Sequence, residues 1–264
     1  MQITTDKGSC RLKKLYGLIL IFSLAFNLLA LGVLDRAIFY RDKIATDETA
    51  FYNQGLRTTR YDLMRQTGPP GPGVLLGGNL VRYWFLPAES EIPLVNLGGI
   101  EEKVEETYSR LKEVAAQLSP RLAVINAGFC QIHTALHTGR DVEAAMANNL
   151  AYLQLMVDEA RSRDMVPILS SLAPVRTPFL LPFTGWFDDP FSKPDSENRA
   201  IREYNLRVRQ LAAEAGLPFF DFHRVLVDSA GELAKPYALT DGEHLSREGY
   251  RVLNDFLLSE LEKI

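Results

Sequence analysis

Cysteine is scarce in this chain: there are two in 264 residues, Cys10 and Cys130. Cys10 precedes a long apolar run and Cys130 follows it, so the sequence beyond that run cannot close an intrachain disulfide. Basic charge is also short. With a net charge of -4 and no stripe of lysine or arginine, nothing is available to neutralise a phosphate backbone, which argues against nucleic acid as a partner. Internal repeats are missing, and low-complexity sequence amounts to one hinge, "GPPGPG" at Gly68–Gly73. That excludes solenoids and repeat arrays. Long hydrophobic runs number one.

That run is "LYGLILIFSLAFNLLALGVL", Leu15–Leu34, uncharged and with Asn27 as its one strongly polar residue. About 20 such residues suffice for a helix to cross the hydrocarbon of a bilayer. Arg11, Lys13 and Lys14 stand just before it, so the positive-inside bias predicts a cytoplasmic tail over 1–14, a transmembrane anchor over 15–34 and everything after it outside the cytoplasm. Four basic residues against one acid give the first 14 residues a charge of +3, leaving -7 for the rest. Ala30-Leu31-Gly32 also fits a signal-peptidase site, but the apolar run is long for a cleaved leader, so an uncleaved lipid-bilayer anchor is the reading taken. Asp35–Pro72 is mixed and charged, with loosely helical apolar spacing, and reads as a juxtamembrane stalk. The Gly/Pro hinge marks its end.

From 73 to 264 the pattern alternates. Short apolar runs at Val74–Leu76, Pro93–Leu97, Leu122–Asn126, Val166–Leu169 and Leu217–Phe220 read as strands. Glu101–Leu118, Asp141–Arg163, Ser196–Ala215 and Ser246–Leu261 read as amphipathic helices, with Gly216 and Ser246 as caps. At 47% hydrophobic residues, the chain can bury one good core. Strands alternating with helices predict a five-stranded parallel sheet covered on both faces, a three-layer α/β/α sandwich. Ligands in such sheets bind beyond the carboxyl ends of the strands. Asn79 stands there after "GVLLGG", Gly98 after the second strand, and Gly128 and Cys130 after the third. "LTDGEHLSREGY" precedes the last helix, with Asp241 and His244 spaced so that a carboxylate can orient an imidazole.

"DGEHLSREGY" resembles the D-G-x-H-L signature of the SGNH (GDSL-type) hydrolases, and the similarity runs back over about the last 190 residues. "VPILSSLAP" is similar to that family's fourth block and "VNLGGI" to its second. "VLLGGNLV" and "INAGFC" occupy the places of the first, normally G-D-S, and the third, normally G-x-N-D. The resemblance implies a flavodoxin-like SGNH fold and ester or acyl-transfer chemistry without a cofactor. It assigns His244 as base, Asp241 as its orienter, and Gly98 and Gly128 to the oxyanion pocket. Asn79 falls at the nucleophile position, Cys130 at the oxyanion asparagine, and Gly78 at the aspartate of G-D-S.

Three readings follow. The chain is a pseudo-hydrolase that binds an acylated or glycan ligand without cleaving it. Or Cys130 is a relocated nucleophile activated by His244, with Asn79 in the oxyanion role. Or His244 activates water that Asn79 positions.

His133 and His137 bind metal only on a helix with a third ligand. Gly139 and the helix start near Asp141 place them in a loop with no acid close in sequence, so no metal is expected. His223 reads as a packing residue and Arg176 as a solvated loop arginine, with anion binding as its alternative. The aromatic loop Pro174–Pro194 reads as a lid, an acyl-chain site, a membrane or partner contact, or a satellite core.

Overall fold

The structure, a computed structural model, describes residues 16–34, 71–86, 92–177 and 194–264. The expected cytoplasmic tail, all but two residues of the stalk, and most of the aromatic loop lie outside the described residues. Helix α1, Tyr16–Leu34, is 19 residues long, apolar and unburied, which meets the length and composition of either a membrane span or a signal sequence.

The folded domain runs β1 (Gly73–Gly77), α2 (Asn79–Arg82), β2 (Leu94–Asn96), α3 (Val104–Leu118), β3 (Leu122–Asn126), α4 (Phe129–Thr138), α5 (Val142–Ser162), β4 (Val166–Ser170), α6 (Pro194–Glu214), β5 (Phe219–Phe220), α7 (Phe222–Leu226) and α8 (Arg247–Leu261). The five strands are parallel in the order β2-β1-β3-β4-β5. All five apolar runs contain strands: β1, β2 and β3 are buried throughout, β4 is buried after its exposed first residue, and β5 is cut to two residues with Phe219 half-buried. Along β1 and β3 the pleat sends alternate residues to opposite layers. Val74, Leu76, Ala123 and Ile125 pack with α3, α4, α5 and α6 on one face. Leu75, Leu122 and Val124 pack with α2, α7 and α8 on the other.

Helix ends follow the local chemistry. Asp141 caps α5 by accepting from the N–H groups of Glu143 and Ala144 at 2.9 and 3.1 Å. Ser246 caps α8 through Gly249 N–H.

One expectation is corrected. Residues 129–138, read as loop, form helix α4. Gly139 is its C-cap and Asp141 the N-cap of the next helix. Two helices separated by three residues produce the same glycine and aspartate signals as a loop.

The order of the sheet fixes the site. The strand order reverses between β1 and β3, with β2 on one side of β1 and β3 to β5 on the other, and a ligand crevice forms at such a switch point. Residue-for-residue pairing from Gly73–Leu122 to Gly77–Asn126 brings the turn carrying Asn79 level with the turn carrying Gly128 and Cys130. The approach is close: a Cβ on Gly77 would collide with the Asn126 carbonyl. At Gly128 φ is 112°, and a Cβ there would meet the Tyr204 hydroxyl and the Asn149 amide.

Candidate active site

A cavity of about 280 Å³ opens over these turns, with Asn79, Gly128, Cys130, His133 and His244 in its wall. It is near the lower end of small-molecule sites.

Asp241 and His244 form the dyad that their spacing suggested. His244 Nδ1 lies 2.8 Å from Asp241 Oδ2, while Asp241 Oδ1 accepts the backbone N–H groups of Glu243 and His244 at 3.0 Å each. The carboxylate therefore holds both the loop and the ring. Burial pushes the Asp241 carboxyl up, but the His244 hydrogen bond and these N–H donors prevail and keep it below the ordinary carboxylate value. An ionised carboxylate on Nδ1 leaves Nε2 as the proton-exchanging nitrogen of His244.

The first turn of α2 is fastened beside this ring. Tyr83 meets His244 edge-on with centroids 5.4 Å apart, and the Tyr250 hydroxyl donates to the Leu80 carbonyl at 3.1 Å. Asn79 is the first residue of α2, and its Oδ1 accepts the Glu101 N–H at 2.8 Å. With Oδ1 so held, the amide Nδ2 donors are what Asn79 can offer a substrate oxygen.

Gly98, expected in the oxyanion pocket, follows the end of β2. Its N–H donates to Asn96 Oδ1 at 2.9 Å, and it is not part of the cavity wall. Asn96 also donates to the carbonyls of Val81 and Trp84, so it ties the end of β2 to α2. Nothing in the local sequence distinguished that buried asparagine from a turn residue.

Cys130 sits half-buried in the first turn of α4, and burial pushes its thiol above the ordinary value despite a hydrogen bond with Thr134. The hydroxyls at the end of β4 are structural: Ser170 donates to the Ile125 carbonyl, and Ser171 bridges Asp221 and the His223 N–H.

Arg176, read as a solvated loop arginine, is mostly buried and engaged by the protein. It donates to the Leu233 carbonyl at 2.7 Å and pairs with Asp228 and Glu232, each at 3.3 Å. His223 lies in α7, and burial lowers its pKa. The four residues 174–177 are the only described part of the aromatic loop before α6, and Pro174 and Val175 line the cavity.

Sequence reasoning missed a second imidazole–carboxylate pair. His133, on the cavity wall, has Nδ1 2.6 Å from Oε1 of Glu197 at the start of α6. The Glu197 hydrogen bond raises the His133 pKa against the opposing effect of burial. Glu243 is close enough to contribute, and desolvation raises its own carboxyl. No local signal links residues 64 positions apart.

Three solved structures share this architecture. A GDSL-like lipase from Bacteroides thetaiotaomicron is 22% identical, with a TM-score of 0.57 over 78% of this chain and 97% of its own. A lipase/acylhydrolase from Enterococcus faecalis is 18% identical, with a TM-score of 0.52 over 74% and 96%. A catalytic mutant of an acetylxylan esterase from Geobacillus stearothermophilus is 16% identical, with a TM-score of 0.54 over 73% and 94%. At these identities the likeness establishes the fold. No curated protein matches the sequence. The GDSL-like lipase/acylhydrolase family model matches residues 86–252, which is more than half the chain. That stretch begins after Asn79 and includes β2, β3, β4 and the Asp241–His244 dyad. The chain therefore belongs to the GDSL-like lipase/acylhydrolase family.

Proposed function

We propose that this domain hydrolyses a small acyl ester, using water activated by His244 in place of a side-chain nucleophile. The observation that carries the reading is the intact Asp241–His244 dyad, whose His244 lines the cavity that also holds Asn79. Asn79 stands at the strand-end turn where the resemblance puts the family serine, and an amide cannot attack an ester. The Cys130 thiol, kept protonated by burial, is poorly prepared to replace it.

In the step proposed, water oxygen bonds to the acyl carbon while His244 Nε2 takes the water proton. The resulting oxyanion accepts from the Asn79 amide. Collapse breaks the ester C–O bond, and the departing alkoxide takes the proton back from His244, leaving acid and alcohol.

Turnover of p-nitrophenyl acetate by the detergent-solubilised full chain tests this. His244→Ala is expected to lower it roughly 100-fold or more, whereas Cys130→Ser leaves it unchanged. Loss on Cys130→Ser with burst kinetics would instead identify the thiol as nucleophile.

Asn79 at the elbow also favours a second reading, a pseudo-hydrolase that holds an acylated or glycan ligand. It predicts ligand binding with no turnover above the His244→Ala level.

We further infer that α1 anchors the chain in a bilayer with its basic flank inside and the catalytic domain outside. Protease added to sealed right-side-out vesicles is then expected to digest the C-terminal domain. Complete protection until detergent is added would reverse the orientation.

A further inference from the structure

We propose that His133, His137 and Glu197 form a binding site for a divalent transition metal of the zinc class at the edge of the cavity. The expectation of no metal rested on a loop at 133–137 and on the lack of an acid close in sequence; the loop is a helix, and α6 brings in an acid that is distant in sequence. His133 and His137 are four apart on helix α4 and therefore share one face. Glu197, in the first turn of α6, projects between them. One ligand atom from each residue lies within 4.8 Å of the other two.

The details fit an ion better than a simple ion pair. Glu197 is 3% exposed, and its two oxygens face different rings: Oε1 is 2.6 Å from His133 Nδ1, and Oε2 is 4.0 Å from His137 Nε2. His137 Nε2 is buried and has no hydrogen-bond partner, an arrangement that is unfavourable when nothing else satisfies the nitrogen. The rings stack with centroids 4.2 Å apart.

Zinc bonds of about 2.0–2.1 Å place tetrahedral ligand atoms roughly 3.3 Å apart. The 2.6 and 4.0 Å separations to the two Glu197 oxygens bracket that value and no pair of ligand atoms is more than 4.8 Å apart, so closing around an ion takes side-chain shifts of at most about 1.5 Å. The surroundings suit a cation: besides Glu197, the charged groups acting on His133 are the carboxylates of Glu243 and Glu101. The ligand frame is also braced. Asn198, next to Glu197, exchanges two hydrogen bonds with the Val175 backbone and fixes the first turn of α6. Two histidines and one carboxylate leave a fourth position for water, as in open zinc sites.

The test is equilibrium competition for Zn²⁺ against a chromophoric chelator, using the detergent-solubilised full chain with any affinity tag removed. One equivalent is expected to bind. His137→Ala and Glu197→Gln should each weaken binding roughly 100-fold or more, since even outer-shell partners of a metal are worth 10–100-fold. His223→Gln is expected to leave it unchanged. Zn²⁺ should raise the thermal midpoint of the wild type and not that of His137→Ala, whose metal-free midpoint reports whether the variant is folded. Absence of stoichiometric binding, or binding that survives His137→Ala, would overturn the site. The proposal is independent of ester turnover, so either can fail alone.

Discussion

Replacing Asn79 with serine is expected to raise ester turnover roughly 100-fold or more and to introduce a burst of acyl-enzyme. Enzymes that lose any triad member retain about 10³–10⁴-fold catalysis over water, and an intact triad adds further orders of magnitude. Most of the triad's support is present here. Asn79 opens α2 at the end of β1, and Tyr83, one turn later, contacts the His244 ring. A hydroxyl at position 79 thus enters beside a base whose Nδ1 is already bound to Asp241.

The cost is the Asn79–Glu101 hydrogen bond, about 1 kcal/mol of local order. In the serine variant, Asp241→Asn should then reduce turnover by about 10³–10⁴, because the neutral amide no longer enforces the required tautomer. Stopped-flow release of p-nitrophenol reads both effects. A folded Asn79→Ser protein with no gain and no burst would mean that His244 does not reach position 79, and would undo the nucleophile-vacancy reading.

Trp84→Ala should be the most damaging of the core truncations around the site. The indole is 0% exposed, meets Phe222 edge-on at 5.2 Å and lies 6.3 Å from Tyr250. Its N–H donates to Asn254 Oδ1 at 2.7 Å, and Asn254 in turn donates to the Phe85 carbonyl. Trp84 therefore joins the exit of α2 to α8. Removing it costs about 3–5 kcal/mol of packing, which for a domain of this size corresponds to a fall in Tm of roughly 10 °C. Trp84→Phe keeps most of the aromatic contact and loses the Asn254 bond, so about 1–2 kcal/mol is expected. Thermal unfolding by circular dichroism separates them. A Trp84→Ala midpoint within about 2 °C of wild type would show that the pocket refills.

Much of the layout was legible because it depends on neighbours in sequence. The five strands are short apolar runs bounded by turns, and burial on both faces is what such runs require. Asp241 and His244 are three residues apart, and Asp241 binds two N–H groups of its own loop, so their meeting needs no long-range packing. Caps at Asp141 and Ser246 are likewise local. Helix α4 was hidden because its termination and the start of α5 fall within three residues, where glycine and aspartate suit a loop equally well.

The sequence by itself determined the α/β alternation, the apolar N-terminal helix, and the positions of Asn79, Asp241 and His244 at strand ends or in the loop before the last helix. Only the tertiary structure decided what those positions face. It directs the Gly98 N–H to Asn96 and places Cys130 where burial holds its thiol protonated. It also sets Glu197 beside two histidines that lie 60 and 64 residues earlier. Hydrogen bonds within a turn follow from residue spacing. The meeting of α4 and α6 exists only after both have packed on the same face of one sheet.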